Sequence, residues 1–361
     1  MLLPNQTHHE RAVFEYTILD KYEQLGTSPI LPISPPNGGK IAQKSAPPNG
    51  GKNLLFDIEI GLTEATLRKR ANAKFFASKL SNELAKIDDS ILFNAYNRSV
   101  TCNQMLVQCG KTLETRYCGC RWCNVCNRIR TSKLISGYEP VLKGMKDKYF
   151  VTLTLPNCEN WQLSNIIYVM LTASRRIQDQ LKKQKQRGKI DYQLVGMRKL
   201  ECTYNATADT YHPHFHYIIE GKAASDALLS AWLAALPQAN AKAQDIRPAV
   251  LNSEKELFKY FSKFVSKTGK GDNVVVVRAL DNIFSSIVNR RVFQPIGIKK
   301  FIDVSEEVAD IRGSWYDGLE FVDGIKHWNW DGDNWRDEDN KSLCEYRPSQ
   351  AQKRFIANAY I

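Results

Sequence analysis

The sequence predicts an α+β protein built on an antiparallel sheet, and three observations lead to it. From about Tyr149 onward the elements read strand, helix, strand, strand, helix, strand, helix. The two middle strands are consecutive and separated by a turn-rich stretch, so they can pair as a hairpin, with helices laid on one face of the sheet. The 361 residues are 43% hydrophobic and 24% charged, the composition of a globular protein rather than a collagenous, coiled-coil or wholly disordered one. No apolar run approaches the roughly 20 residues that cross a bilayer. The chain does not open with a basic stretch followed by an apolar one, so neither a secretory signal nor a membrane partner is expected.

Residues 1–53 are expected to be a disordered leader. Pro35-Pro36-Asn37-Gly38-Gly39-Lys40 recurs as Pro47-Pro48-Asn49-Gly50-Gly51-Lys52, and such turn formers cannot bury a core. A helical segment, 54–100, follows; its helix runs from Leu62 to Lys86 with Thr63 as N-cap. A cysteine-rich segment occupies 101–137. The core, 138–302, starts with a strand from Tyr149 to Leu155, stopped by Pro156-Asn157. A helix from Leu163 to Gln186 ends in a crowd of cations and stops at Gly188. Strands at Gln193–Tyr204 and His214–Glu220, a helix at Ser225–Leu236, an extended stretch at Ile246–Leu251 and a helix from about Ser253 complete it.

The formal net charge of +12 is unevenly spread. Between Asp303 and Asn340 twelve acidic residues face three basic ones, a local net of −9 that leaves +21 on the rest of the chain. A basic body points to a polyanionic partner. The segment 303–361, acidic and carrying Trp315, Trp328, Trp330 and Trp335, cannot be a phosphate-binding face; it is expected to pack on the core, with mimicry of DNA against the core the alternative.

Six of the nine cysteines fall between Cys102 and Cys126. A disulfide framework spreads its cysteines and pairs them all, so this crowding points to metal thiolates in a reducing compartment. Cys123 and Cys126 form a C-x-x-C knuckle suited to Zn²⁺. The other two ligands are expected from Cys109 and Cys120, with Cys118 the alternative and Cys102 a weaker candidate. Arg116, Arg121, Arg128 and Arg130 around the cluster are expected to meet phosphates.

His212-Pro213-His214-Phe215-His216 holds three of the six histidines. Alternation along a strand puts His214 and His216 on one face, roughly 7 Å apart at the backbone. They can converge on a divalent ion if a neighbour adds a ligand, and Glu201 on the preceding strand has the right chemistry. Further on, helical spacing sets Glu256, Tyr260 and Lys263 on one face. A tyrosine hydroxyl titrates near 10, so it attacks a phosphodiester only when a metal polarises the phosphate. Lys263 can support the same anion, and Glu256 can position or deprotonate an attacking hydroxyl.

Tyr149-Phe-Val-Thr-Leu-Thr-Leu-Pro-Asn157, then His-Pro-His-Phe-His, then Glu-x-x-x-Tyr-x-x-Lys resembles, in content and order, the rolling-circle replication initiator (Rep) proteins of small bacterial plasmids, in the HUH endonuclease superfamily. The resemblance spans about Cys109 to Lys267. It implies a ferredoxin-like core with a five-stranded antiparallel sheet and a Mg²⁺- or Mn²⁺-dependent nickase in the bacterial cytoplasm. It further implies that His214, His216 and Glu201 hold the ion, and that Tyr260 forms a 5′-phosphotyrosine link at the origin, freeing a 3′-hydroxyl primer. By the same resemblance Glu256 activates the nucleophile that ends the round, Lys263 assists the phosphate, and host helicase and replication machinery are partners. The single tyrosine fits the plasmid branch. A relaxase or transposase, or a zinc-containing DNA-binding protein that does not cleave, are the competing readings.

Overall fold

A computed structural model describes residues 63–109, 112–250, 257, 266–267, 273–274, 277–301, 325–350 and 352–353, all within the compact unit 56–361. The leader repeat and the predicted catalytic residues Glu256, Tyr260 and Lys263 lie outside the described residues.

In chain order the helices are α1 (Glu64–Leu84), α2 (Phe93–Val100), α3 (Asn124–Gly144), α4 (Asn160–Gln186), α5 (Lys222–Ala235) and α6 (Val277–Ile287). The strands are β1 (Met105–Cys109), β2 (Thr112–Thr115), β3 (Lys148–Thr154), β4 (Gly196–Asn205), β5 (Thr210–Glu220), β6 (Asp245–Pro248), β7 (Ser266–Lys267), β8 (Asn273–Val274), β9 (Phe293–Ile296), β10 (Ile325–Trp330) and β11 (Trp335–Arg336). Thr63 caps α1 as expected, its hydroxyl accepting from the Thr66 N–H. Helix α4 starts three residues before the predicted Leu163 because Glu159 and Gln162 form a reciprocal capping box.

The central sheet is five-stranded, in the order β6-β3-β5-β4-β9, and every neighbouring pair is antiparallel. Strand β5 begins four residues earlier than the sequence suggests, with Pro213 inside it. Proline is out of place in a central strand because it donates no ladder bond. Here β3 has already ended at Thr154, opposite His214, so β5 is locally an edge on that side and no donor is missed.

One face of the sheet carries Val151, Leu153, Leu200, Phe215, Tyr217 and Ile219 into a core shared with α4 and α5. The other face is not bare, as helices on one face alone would leave it. Phe150, Met197 and Ile218 alternate onto it and are covered by Tyr138 and Leu142 of α3, with Met145 and Leu257. The histidines occupy the remainder of this second face.

A second, four-stranded antiparallel sheet, β11-β10-β1-β2, joins residues far apart in sequence. Trp328, Trp330 and Trp335 pack with Leu106 and with Leu67, Ala71 and Phe75 of α1. The Trp335 indole is fully buried and donates to the Asn103 carbonyl at 3.1 Å. Three of the described acids beside these tryptophans are paired locally: Asp337 with Lys326 at 2.7 Å, Asp333 with Lys353 at 3.0 Å, Asp331 with Arg336. That is how the described part of an acidic segment packs on a basic protein. Among the described residues no helix is long and apolar enough to cross a membrane.

Truncating the buried indole leaves a cavity and an orphaned carbonyl. Trp335→Ala should lower the free energy of unfolding by about 3–5 kcal/mol, read as a shifted urea midpoint; a change below about 1 kcal/mol would mean that the second sheet is not anchored there.

Candidate metal centres on the sheet and in the cysteine segment

The register of the β4–β5 hairpin builds the first centre. Glu201 pairs directly with His214, and Lys199 with His216. Across β5 on its other side, Thr154 faces His214 and Thr152 faces His216. Directly opposite residues share a face, so Glu201, His214 and His216 point to one place, and their ligand atoms lie within 4.8 Å of one another.

Each imidazole is held by its far nitrogen. His214 Nδ1 lies 3.0 Å from the His212 carbonyl, and His216 Nδ1 lies 3.2 Å from Thr152 Oγ1. Such outer bonds fix the ring and leave Nε2 as the donor toward the site; His216 Nε2 is 3.6 Å from Glu201 Oε2. His214 is only 7% exposed. Burial pushes its pKa below the usual histidine value, against the opposing pull of its bond to His212 and of Glu201, so it is neutral and able to bind a cation near pH 7.

Lys199, 2% exposed, places Nζ 2.8 Å from Glu201 Oε2. Burial alone raises a carboxyl's pKa, but Lys199, helped by His214 and His216, pulls Glu201 below its ordinary value. The carboxylate is therefore ionised and aimed. Sequence reading passed over Lys199 and Thr152, although the signal was available: Lys199 is two residues from Glu201, and Thr152 alternates with Leu153 in the first motif. His212, on the same parity, stacks on His214 with ring centroids 5.1 Å apart, and its Nε2 meets Thr154 Oγ1 at 2.5 Å. Two imidazoles and a carboxylate on one side of a site suit a divalent ion with open positions for substrate.

Of the predicted tyrosine helix only Leu257 is described. It is helical and fully buried among Phe150, Met197 and Ile218, on the sheet face that carries His214 and His216.

The second centre differs from the sequence expectation in two of four members. The sulfurs that converge are those of Cys102, Cys118, Cys123 and Cys126. Cys102 and Cys126 are 3.5 Å apart, Cys118 and Cys126 3.6 Å, and Cys102 and Cys123 3.6 Å. Disulfides would be near 2 Å; four thiolates about 2.3 Å from one Zn²⁺ lie roughly 3.8 Å apart, so the donor set fits that ion. Hydrogen bonding with Cys102 first, then with Cys118 and Cys126, holds the Cys123 thiol's pKa well below the usual value, against the upward push of burial.

Cys120 is turned away, its thiol directed at the carbonyls of Ala95 and Cys118 at 3.5 and 3.7 Å. Gly119, at φ +68°, makes the left-handed turn that separates the two neighbours. Cys109 lies in β1, and its side chain is outside the described residues. Cys102 enters because the Asn103 N–H donates to the Arg116 carbonyl at 2.8 Å, which sets it beside Cys118; the Cys118 N–H then points at Cys102 Sγ, 3.4 Å away. Spacing along the chain does not reveal that turn.

Lys74 of α1, 1% exposed, donates to the Cys102 carbonyl at 2.6 Å and to Gln104 Oε1 at 3.3 Å, and lies 5.8 Å from the Trp330 ring centroid. Burial lowers its pKa, and the sulfurs of Cys102, Cys123 and Cys118 raise it. Three of the four arginines expected to meet phosphates each bond a backbone carbonyl within the protein. Arg121 donates to the Arg290 carbonyl at 2.5 Å, Arg128 to Lys69 at 2.6 Å and Arg130 to Gly119 at 3.1 Å, fastening the segment to its surroundings.

An α+β domain with a cysteine centre and a histidine–carboxylate face is thus defined by geometry. Residues 110–223, which hold three of the four clustered cysteines, both histidines and Glu201, match the family described as replication protein. The chain is similar to the protein rep of Staphylococcus aureus, 28% identical over 164 residues, which are 44% of this chain and 66% of that relative. It is also similar to the protein rep of a Bacillus species, 30% identical over 115 residues, and of Bacillus amyloliquefaciens, 29% identical over 118. These cover 30% and 31% of this chain, and 35% and 33% of the relatives. The chain therefore spans just under two thirds of the first relative's length and about a third of the other two. No solved structure matches.

If the clustered thiols are ligands, titration with Co²⁺ as a spectroscopic stand-in should give a thiolate-to-metal charge-transfer band. Cys102→Ser and Cys118→Ser should diminish it strongly while Cys120→Ser keeps it. The reverse ranking would restore the assignment made from spacing.

Proposed function

We propose that this chain is a plasmid rolling-circle replication initiator, a metal-dependent, site-specific DNA nickase and strand transferase acting at an origin in the bacterial cytoplasm. The observation that carries the reading is the convergence of Glu201, His214 and His216 on one sheet face, within a segment that matches the replication-protein family. A DNA-binding protein that does not cleave has no need of such a triad.

His214, His216 and Glu201 would hold Mg²⁺ or Mn²⁺, which supplies positive charge to the scissile phosphate. Imidazole donors favour Mn²⁺ of the two. Thr152 and the His212 carbonyl orient the imidazoles; Lys199 keeps Glu201 ionised and aimed. Tyr260 then attacks phosphorus: its hydroxyl loses its proton to solvent as its oxygen forms the new P–O bond, the bond to the 3′-oxygen breaks, and that oxygen takes up a proton from solvent to leave as the 3′-hydroxyl primer. The DNA 5′ end stays on the enzyme as a phosphotyrosine. Lys263 assists the phosphate anion, and Glu256 activates the nucleophile that closes the round and rejoins the DNA. Cys102, Cys118, Cys123 and Cys126 would hold a structural Zn²⁺. Origin DNA is the substrate, and host helicase and replication machinery are the partners that extend the primer.

The test is incubation of end-labelled, single-stranded origin DNA with the protein and Mn²⁺. A covalent adduct should form with the wild type and vanish with Tyr260→Phe. His214→Ala combined with His216→Ala should cut nicking by about 100-fold or more while duplex binding stays within about twofold. Binding without any adduct would sink the enzyme reading and favour the non-cleaving one.

A further inference from the structure

We propose that the outward face of α4 is a track for single-stranded DNA, running on from the histidine face around the end of the sheet. Its occupant rests on the nickase reading above.

Four outward residues of α4 recur at seven-residue spacing: Trp161, Tyr168, Arg175 and Lys182, all exposed. Residues seven apart drift by only about 20° around a helix, so the four form one stripe about 32 Å long. Its first two members are aromatic and far from the core: Trp161 is 74% exposed and Tyr168 56%. Single apolar residues on a surface are ordinary; two large rings in line, leading into cations, are a pattern with a use. The Trp161 indole N–H donates to Glu159 Oε2 at 2.6 Å, which restrains the ring. Between the rings, Arg290 reaches the Ser164 carbonyl and hydroxyl at 3.0 and 2.9 Å, adding a guanidinium to the same surface. Beyond them Arg176, Lys183 and Arg187 flank the stripe, and Asp179 is the one acid on the helix.

The track is placed where a strand leaving the nick site would meet it. β3 ends at Thr154 opposite His214, Cys158 pairs with Tyr211 next to His212, and α4 starts at Asn160. The aromatic end of α4 therefore lies at the end of the sheet where the histidines sit, on the opposite face, and the cations lead away from it. Exposed rings select unpaired bases, whose faces are free to stack, whereas in a duplex those faces are already covered. The cations serve any phosphate backbone.

The experiment measures binding of the full-length protein to fluorescent oligo-dT and to a duplex of equal length, by anisotropy across salt concentrations. Trp161→Ala with Tyr168→Ala should weaken oligo-dT binding by tenfold or more and leave the duplex within about twofold. Trp161→Phe with Tyr168→Phe should bind like the wild type. Arg175→Gln with Lys182→Gln should weaken both DNAs and reduce the oligo-dT salt slope by about 1.4. The track is overturned if the alanine pair leaves oligo-dT affinity unchanged, or weakens duplex equally. Both rings being exposed, the alanine pair is expected to fold; should it not, Trp161→Gln with Tyr168→Gln decides by the same criteria. Wild-type nicking with Mn²⁺ runs alongside: ring-dependent oligo-dT binding without nicking overturns only the nickase reading, and nicking without ring dependence overturns only the track.

Discussion

The antiparallel register of β4 on β5 is the constraint on which the histidine site depends. Because Glu201 sits opposite His214 and Lys199 opposite His216, one pairing decides which side chains share a face. A slip of one residue would send Glu201 to the apolar core and bring a thiol, Cys202, to the site, since strand side chains alternate. The register is held by what lies on the reverse side. Phe215, Tyr217, Ile219 and Leu200 are buried against α4 and α5, and none could be exposed without losing roughly 1.5–3 kcal/mol of burial each. The apolar layer thereby fixes the polar one.

The cysteine centre serves a different end. It draws Cys102 from the turn after α2, Cys118 from the loop before α3, and Cys123 and Cys126 from the start of α3. Lys74 then links the same locus to Trp330 in β10. One buried ammonium thus bonds the Cys102 carbonyl and Gln104 and faces the Trp330 ring, so α1, the cysteine loop and the second sheet are joined at a single side chain.

Much of this was legible in the residues. The order of strands and helices, the Thr63 cap and the pairing of Glu201 with the histidine strand follow from period and turn chemistry, because each is set by neighbours in sequence. What escaped was set by distant contacts. Cys102 joins the cluster through one backbone bond to Arg116, and Gly119 turns Cys120 out of it. Arg121, Arg128 and Arg130 each reach a carbonyl that their own sequence neighbourhood does not announce. Pro213 argued for a later strand start, and only the length of β3 makes it harmless. The partnership of β1 with β10 joins segments over 200 residues apart and has no local signature at all.

That last pairing bears on how the chain is made. During synthesis β1 leaves the ribosome long before β10 exists, so until Ile325–Trp330 has emerged β1 offers an unpaired edge and α1 an apolar stripe without its tryptophans. Cys102 and Lys74 belong to that unfinished side, while the histidine hairpin can already pair. A chain that stops short of Ile325 thus holds its histidine triad without the sheet that closes over α1, and carries a sticky edge for chaperones and proteases to recognise. Closure of the second sheet waits on residues made more than 200 positions after β1.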